Sequence, residues 1–409
     1  MTQQATPLSN PGRSADRELS IGIVGFGMRA GLWQYAHRPD DEQRPSRVTT
    51  VCDLSERGRA DAAKALPDAL ITDDLDQLLQ AGLDAVLVLT PDDQHFPVAL
   101  RALQAGVPVF CEKPLATTIE HCDTLLQTAY ETGTRLYVGH NMRHMPVVRQ
   151  MRELIKSGRI GEVKTVWCRH FVSTGGDFYF KDWHADRSRS TGLLLQKGAH
   201  DLDVIHWLAG GYSSTVSAMG DLMVYGKITD RTDHSGDRMW DWYDKNVWPP
   251  TEQTGLNEII DVEDVSMMQM RLDNGVLASY EQCHFAPDYW RNYTVIGTKG
   301  RIENLGDGPD DVIAIWDQRH DGHAEPDEKL IIGEGATGGS HGGADPRLIS
   351  EFLRFAVEGG MTETSPVAAR QAVAAGCVAT DSLRSDGSAR TVPPLSAELI
   401  NYFENGQQR

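Results

Sequence analysis

The sequence lacks several features that would each place it in a class. It has no apolar run of the roughly 18 to 20 residues a membrane helix needs, and its N-terminus is polar where a secretory signal would be apolar. It has no excess of base: 58 acids stand against 39 Lys and Arg, a formal charge of -19, which opposes general attraction to nucleic acid or an anionic membrane. Any anionic ligand must meet a local basic pocket. Nor are its cysteines paired. Cys52, Cys111, Cys122, Cys168, Cys283 and Cys377 are scattered and form no C-x-x-C, so neither a disulfide framework nor a zinc site is indicated. Repeats and low-complexity tracts are also missing. The expectation is a cytoplasmic protein with no membrane, nucleic-acid or metal partner.

What is present fits a globular chain of two domains: 409 residues, 40% of them hydrophobic. Residues 1–18 (MTQQATPLSNPGRSADRE) carry no periodic apolar face and are expected to be a flexible tail. From Leu19, short apolar runs (LSIGIVGF, RVTTVCD, ALIT, DAVLVLT, VPVFC, RLYVG) alternate with helix-length segments. Near-continuous apolar strands with helices between them mean a parallel sheet covered on both faces. The expected fold class is α/β, a doubly wound Rossmann domain over 19–145.

After the helix HMPVVRQMRELIKSG the runs lengthen and alternate with period two: VKTVWCRHFV, TVSAMGDLMVYG, DVSMMQMRL, GVLASYEQCHF and YTVIGTKGRIENL. Turns such as Asp273-Asn274-Gly275 and Lys299-Gly300 join them, predicting an α+β domain over 146–390 with an open-faced, mainly antiparallel sheet. Within it lie a helix over 192–208, an irregular insert from Tyr225 to Asn257 bearing Trp240, Trp242 and Trp248, and two late helices that cover the sheet or return to the first domain. Residues 391–409 form a C-terminal segment.

Gly25-Phe26-Gly27-Met28-Arg29-Ala30 is G-x-G-x-x-A where the first strand meets the first helix. Glycines there permit a tight turn and let a pyrophosphate approach backbone N–H groups. Asp53 ends the next apolar run, where a carboxylate can accept from both ribose hydroxyls; its spacing exceeds the usual figure of about 20 residues by the polar insert HRPDDEQRPSR. Asp53 favours NAD over NADP, although Arg57, one turn into the following helix, is placed to receive a 2'-phosphate. Leu54, Thr90 and Pro91, His95, Glu112 and Asn141 complete the candidate cofactor contacts.

Lys113 closes the fifth strand in VFCEKPL, at the carboxyl edge where ligands bind in open α/β folds. Pro114 restricts its backbone. A surface lysine in a loop is the plain alternative. On the helix 192–208, at 100° per residue, Leu193, Gln196, Lys197, His200, Asp203, Val204 and Trp207 share one face, as suits a cleft wall. A buried histidine satisfied by its neighbours is the competing account of His200. Lys197 and Asp201 are an i,i+4 pair and so form a candidate salt bridge. Trp183 and His184, in DWHADR, offer an aromatic plate and polar groups of the kind that bind sugars; the spacing matches no metal motif. Arg143, Arg291 and His341 are further pocket candidates, each equally placed as a surface residue.

The ordered set GFGMRA, Thr-Pro, CEKPLA, GHNMRH, TGLLLQKGAHDLDVIHWLAG and GGSHGGADPRLISEFL, over residues 19 to 385, resembles the glucose-fructose oxidoreductase, inositol dehydrogenase and MocA (Gfo/Idh/MocA) family. The resemblance implies NAD or NADP across the first domain, a sugar or polyol between cofactor and sheet, and commonly a homodimer or homotetramer. It implies that Lys113 hydrogen-bonds the reacting hydroxyl and that His200 assists proton transfer. Many relatives have an aspartate where this chain has Gln196, which cannot act as a base.

The expected function is NAD-dependent oxidation of a secondary hydroxyl of a sugar, polyol or glycoside, with Lys113 made usable as a base by burial and by the positive nicotinamide. The alternatives are a redox-neutral NAD-dependent glycosidase (C3 oxidation, elimination, hydration, reduction), including one for a sulfonated glycoside, and a non-catalytic dinucleotide-binding regulator.

Overall fold

The computed structural model describes residues 17–308, 311–332 and 340–408. The expected N-terminal tail lies outside the described residues except for Arg17 and Glu18; Arg17 donates to Asp84 at 2.5 Å. Strands β1 (Leu19–Val24), β2 (Ser46–Cys52), β3 (Leu70–Thr72), β4 (Ala85–Val88), β5 (Val109–Cys111) and β6 (Leu136–Val138) form one parallel sheet in the order β3-β2-β1-β4-β5-β6. That is the doubly wound arrangement. All four residues of β4 and all three of β5 are buried, as strands covered on both faces must be.

The second sheet has nine strands: β7 (Val163–Phe171), β8 (Ser213–Asp221), β9 (Val265–Leu272), β10 (Leu277–Cys283), β11 (Trp290–Gly297), β12 (Arg301–Asn304), β13 (Val312–Trp316), β14 (Glu328–Ile331) and β15 (Arg390–Thr391). Its order is β14-β13-β12-β11-β7-β10-β9-β8-β15, antiparallel throughout except where β10 runs parallel to β7. Strand β9 alternates strictly, with Ser266, Met268, Met270 and Leu272 buried between exposed or half-buried neighbours. Each fully buried apolar side chain of this size contributes about 1.5–3 kcal/mol. The opposite face is open: Trp167, Met219, Met267 and Leu277 stand exposed on it, Met219 at 72%. Strands β13, β14 and β15 were not among the expected elements; the last two are short and lie at the sheet edges, where a strand carries little pattern.

The late helices serve both domains. Helix Ala344–Glu358 lays Leu348, Ile349, Phe352 and Phe355 against Ile21, Ile23, Phe110 and Tyr137 of the parallel sheet. Helix Pro366–Leu383 covers the inner face of the antiparallel sheet through Ala372, Ala375 and Ala379 and reaches the Rossmann core through Val367, Ala369 and Val373. The C-terminal helix Ala397–Glu404 packs Leu399, Tyr402 and Phe403 on that same Rossmann core. Helix Pro366–Leu383, which contributes to both cores, therefore ties the two sheets together.

Candidate functional site

The glycine loop begins at Gly25, whose φ of +90° and close approach to the Leu89–Thr90 backbone leave no room for a side chain (an added Cβ would sit 2.9 Å from it). A Cβ on Gly27 would meet nothing within 4 Å, so open space lies above the loop. Asp53 accepts from Phe26 N–H at 2.6 Å and from Ser55 N–H at 2.7 Å. Ser55 in turn caps helix Glu56–Ala65 by accepting from Gly58 N–H. Met28 and Leu54 stand exposed beside this cradle, Leu54 at 80%. An open glycine turn, a carboxylate at the end of β2 and a capped helix start fit the pyrophosphate and ribose of a dinucleotide.

Other loop residues are committed within the protein. Arg29 donates to Glu112 at 2.7 Å and to both oxygens of Asp345 at 3.0 and 3.2 Å, while Asn141 donates to Asp345 at 3.1 Å. Burial acts against the Arg29 charge, but Glu112 and Asp345 outweigh it and raise its pKa. His95 spans two loops, with Nδ1 2.6 Å from the Pro114 carbonyl and Nε2 2.9 Å from that of Thr90. Burial lowers its pKa, and a neutral ring donates to only one of these carbonyls at a time. Arg57 lies on the solvent face of its helix and donates to Asp241 of the insert at 2.5 and 3.1 Å.

Lys113, at the tip of β5, donates from Nζ to the Gln196 carbonyl at 3.0 Å, just before the helix that carries His200 begins. The two domains thus meet at this amine. Its pKa is lowered, chiefly by burial and then by Arg29 and Arg291, against the opposing pull of Asp92 and Glu112. Asp92, absent from the candidate set, follows Thr90-Pro91 at the end of adjacent β4 and is buried; desolvation raises its carboxyl to about 8 despite Lys113. The parallel pairing of β4 with β5 puts this acid and the lysine at one sheet edge, which is the signal that strand order alone could have supplied.

The expected helix 192–208 breaks at Lys197 into Leu193–Gln196 and Gly198–Ala209. Gly198 lies against the Tyr280 ring. The break overturns the single-face reading and the Lys197–Asp201 bridge. Asp201 turns inward and accepts from His170 Nδ1 at 3.0 Å, Tyr280 Oη at 2.9 Å and Tyr293 Oη, with Arg291 Nε 3.1 Å away. Burial penalises its charge, yet Arg291, His170 and Tyr293 hold its pKa far below the ordinary 3.8. Burial and Arg291 push His170 down to about 3. Lys197 is left beside the Tyr179 ring, 5.9 Å from its centroid, its pKa lowered well below the ordinary value by burial and by Arg291 and Lys113.

Asp203 and Trp207, read onto the cleft face, turn to the loop after β6. Arg143 forms a buried two-pronged ion pair with Asp203, 2.7 Å at each nitrogen, donates to the Glu363 carbonyl at 2.8 Å and lies over Trp207. It is an interior strut that joins the domains. Arg291 is shared between Asp201 and Asp307. Trp183 and His184 stack at 3.8 Å with Arg189 over the indole, and burial lowers His184 to about 3. His341 falls in the turn Ser340–Gly343, and its side chain lies outside the described residues.

Buried polar atoms without a hydrogen-bond partner gather at this edge among the described residues: Thr90 Oγ1, Asp92 Oδ2, Gln196 Oε1, Asn141 Oδ1 and both ring nitrogens of His284. Burying such a group unpaired costs about 1–3 kcal/mol, and a ligand rich in hydroxyl and amide groups would satisfy them. His284 directly follows β10 and sits 4.9 Å from the Tyr179 ring; nothing in its local sequence marked it.

A six-stranded parallel sheet with this glycine loop and ribose acid, joined to an open antiparallel sheet, defines an NAD-binding oxidoreductase. The chain belongs to the Gfo/Idh/MocA family. Residues 19–140 match "Oxidoreductase family, NAD-binding Rossmann fold" and residues 148–303 match the GFO/IDH/MocA C-terminal domain. YteT of Bacillus subtilis (strain 168), named as an oxidoreductase, is 28% identical over 66% of this chain and 72% of its own. An inositol 2-dehydrogenase of Burkholderia multivorans is 34% identical over 52% of this chain and 59% of its own. A 2,7-anhydro-N-acetylneuraminate hydratase of Mediterraneibacter gnavus is 32% identical over 49% of this chain and 51% of its own. The chain thus spans little more than half the length of the last two. The solved levoglucosan dehydrogenase in complex with NADH and levoglucosan has the same fold, with a TM-score of 0.74 at 20% identity over 92% of this chain and 100% of that one.

Proposed function

We propose that this protein is an NAD-dependent enzyme that oxidises a secondary hydroxyl of a sugar, polyol or glycoside. One observation carries the reading: Lys113, at the carboxyl edge of the cofactor sheet, donates to the Gln196 carbonyl, at the end of the short helix that leads into the helix bearing His200, amid unpartnered polar atoms. Bound NAD supplies the acceptor for the carbinol hydride. In its neutral form, which burial favours, Lys113 takes the hydroxyl proton. His200, buried in the helix that follows, holds the same hydroxyl or passes that proton on. The Asp201 cluster beneath keeps the helix in place. Trp183 and His184 offer a flat surface to a sugar ring; Lys197, Gln196 and Arg291 surround its polar groups. Residues before about 145 hold the cofactor and those after it the substrate.

Relatives named inositol 2-dehydrogenase support net oxidation. The relative named as a hydratase supports the second reading, a redox-neutral cycle ending in hydrolysis of a glycoside. Purified protein given NAD and a panel of polyols and glycosides separates the two. Stoichiometric NADH, read at 340 nm, is the outcome of oxidation, and aglycone release without NADH accumulation is that of hydrolysis. Turnover that persists undiminished in both Lys113→Ala and His200→Ala refutes the assignment. The open face bearing Trp167, Met219, Met267 and Leu277 is assigned to self-association, which light scattering on the eluted protein measures.

A further inference from the structure

The insert between β8 and β9 reaches across to the cofactor domain. Arg238 donates to Asp61 at 2.6 Å and to the carbonyl of Phe26, inside the glycine loop, at 2.9 Å. Asp241 accepts from both terminal nitrogens of Arg57 and from the Arg238 backbone N–H at 2.8 Å, so the two bridges spring from one turn. That turn is anchored in its own domain: Trp242 Nε1 donates to the Asp177 carbonyl at 2.9 Å, and the Asp177 carboxylate is buried between Lys181 and Gln253. Between insert and Rossmann helix lies a cleft of about 530 Å³, walled by Ser55, Glu56, Arg57 and Ala60 on one side and residues 235–238 on the other. One of its wall residues, Ser55, donates its N–H to Asp53 at 2.7 Å, and its volume falls within the size range of small-ligand sites.

We propose that residues 235–241 are the second wall of the adenosine pocket, so that the dinucleotide is retained through turnover and a 2'-phosphate is refused. The inference rests on the NAD reading above. Retention follows from position, because an adenosine lying against Asp53 leaves past a wall tied to the cofactor domain on both sides. Refusal follows from charge. Arg57, one turn into the helix after Asp53, is taken by Asp241; Arg238 is taken by Asp61; Arg59 donates to the carbonyls of Asp53 and Leu54. Asp61, Asp237 and Asp241 act on Arg57, Glu56 lines the same cleft, and Asp53 is hydrogen-bonded to the lining residue Ser55. A phosphate here meets an acidic surplus.

The test is the dissociation rate of NADH from the full chain, followed by fluorescence in a chase experiment, with affinities for NAD and NADP measured alongside. Arg238→Ala is expected to speed release about three- to fivefold, and Arg238→Ala/Asp241→Asn about tenfold. Asp61→Asn cuts the same bridge from the other side and substitutes for Arg238→Ala should that variant fail to fold. Asp241→Asn frees Arg57 and is expected to tighten NADP about tenfold while NAD affinity moves less than threefold. Arg101→Ala, which breaks a remote surface pair with Asp76, leaves release unchanged. Release within twofold of wild type in both Arg238→Ala and Asp61→Asn overturns retention, and unaltered NADP affinity in Asp241→Asn overturns refusal. A wild-type chain that binds no NADH overturns the NAD reading and the wall together, whereas binding with unaltered variants overturns the wall alone.

Discussion

Two places where the domains meet are built on opposite plans. Around Lys113 and Gln196, buried oxygens and nitrogens stand without partners and two lysines are held at lowered proton affinity. Around Arg57 and Arg238, charges are paired across the domain boundary. Unpaired polar atoms are expensive unless something binds them, so the first place suits a ligand that comes and goes. Matched ion pairs suit a molecule that stays. On the proposals made above, the two places divide exchange from retention, and the difference can be broken or sharpened by substitution.

The largest effect is expected at the lysine. Lys113→Met should lower kcat/KM by roughly 10²–10⁴ with NADH binding kept within a few-fold, as fluorescence titration reads; intact turnover would remove the contrast between the two places. Next is the floor under the helix. Asp201→Ala leaves Arg291 buried with its main counter-charge gone, and breaking such a pair costs about 3–5 kcal/mol, measured by denaturant unfolding at neutral pH. Because the folded Asp201 pKa is depressed, its contribution is fully present above the ordinary 3.8 and is lost as pH falls below it. The gap between wild type and variant should therefore narrow in acid.

Lys197→Met is expected to raise KM for substrate about tenfold without changing the NADH dissociation rate, which would confirm that this cation belongs to the place of exchange. The smallest effect is a shift in pH. Activity that needs neutral Lys113 rises with pH through a value below 10.5. The Asp92 charge raises that value, so Asp92→Asn should move the rising limb of kcat/KM to lower pH; an unmoved limb separates Asp92 from the lysine.

These contrasts were unevenly legible in the sequence. The Rossmann strands announced themselves because a doubly covered strand must be apolar almost throughout, and Lys113 and Asp53 stood out because each ends such a run. The antiparallel strands showed as alternation in β9 and β10, whereas edge strands of two to four residues did not. Helical periodicity failed at Lys197, since it assumes an unbroken helix and the break turns Asp201 inward to tyrosines 79 and 92 residues away. Arg143 read as a pocket cation because its partner, Asp203, lies 60 residues along the chain. The bridge from Arg57 to Asp241 spans 184 residues. Pairings at such distances have no local signature.

Helix Ala344–Glu358 has a consequence for synthesis. When the first 145 residues have left the ribosome, the β1–β5–β6 surface of Ile23, Phe110 and Tyr137 still lacks Leu348, Ile349, Phe352 and Phe355, because their helix is about 200 residues from being translated. A greasy sheet must wait without this cover through the making of the whole second domain. A fragment ended near residue 145 lacks that cover permanently and is expected to aggregate when expressed alone, which solubility of the fragment beside the full chain measures.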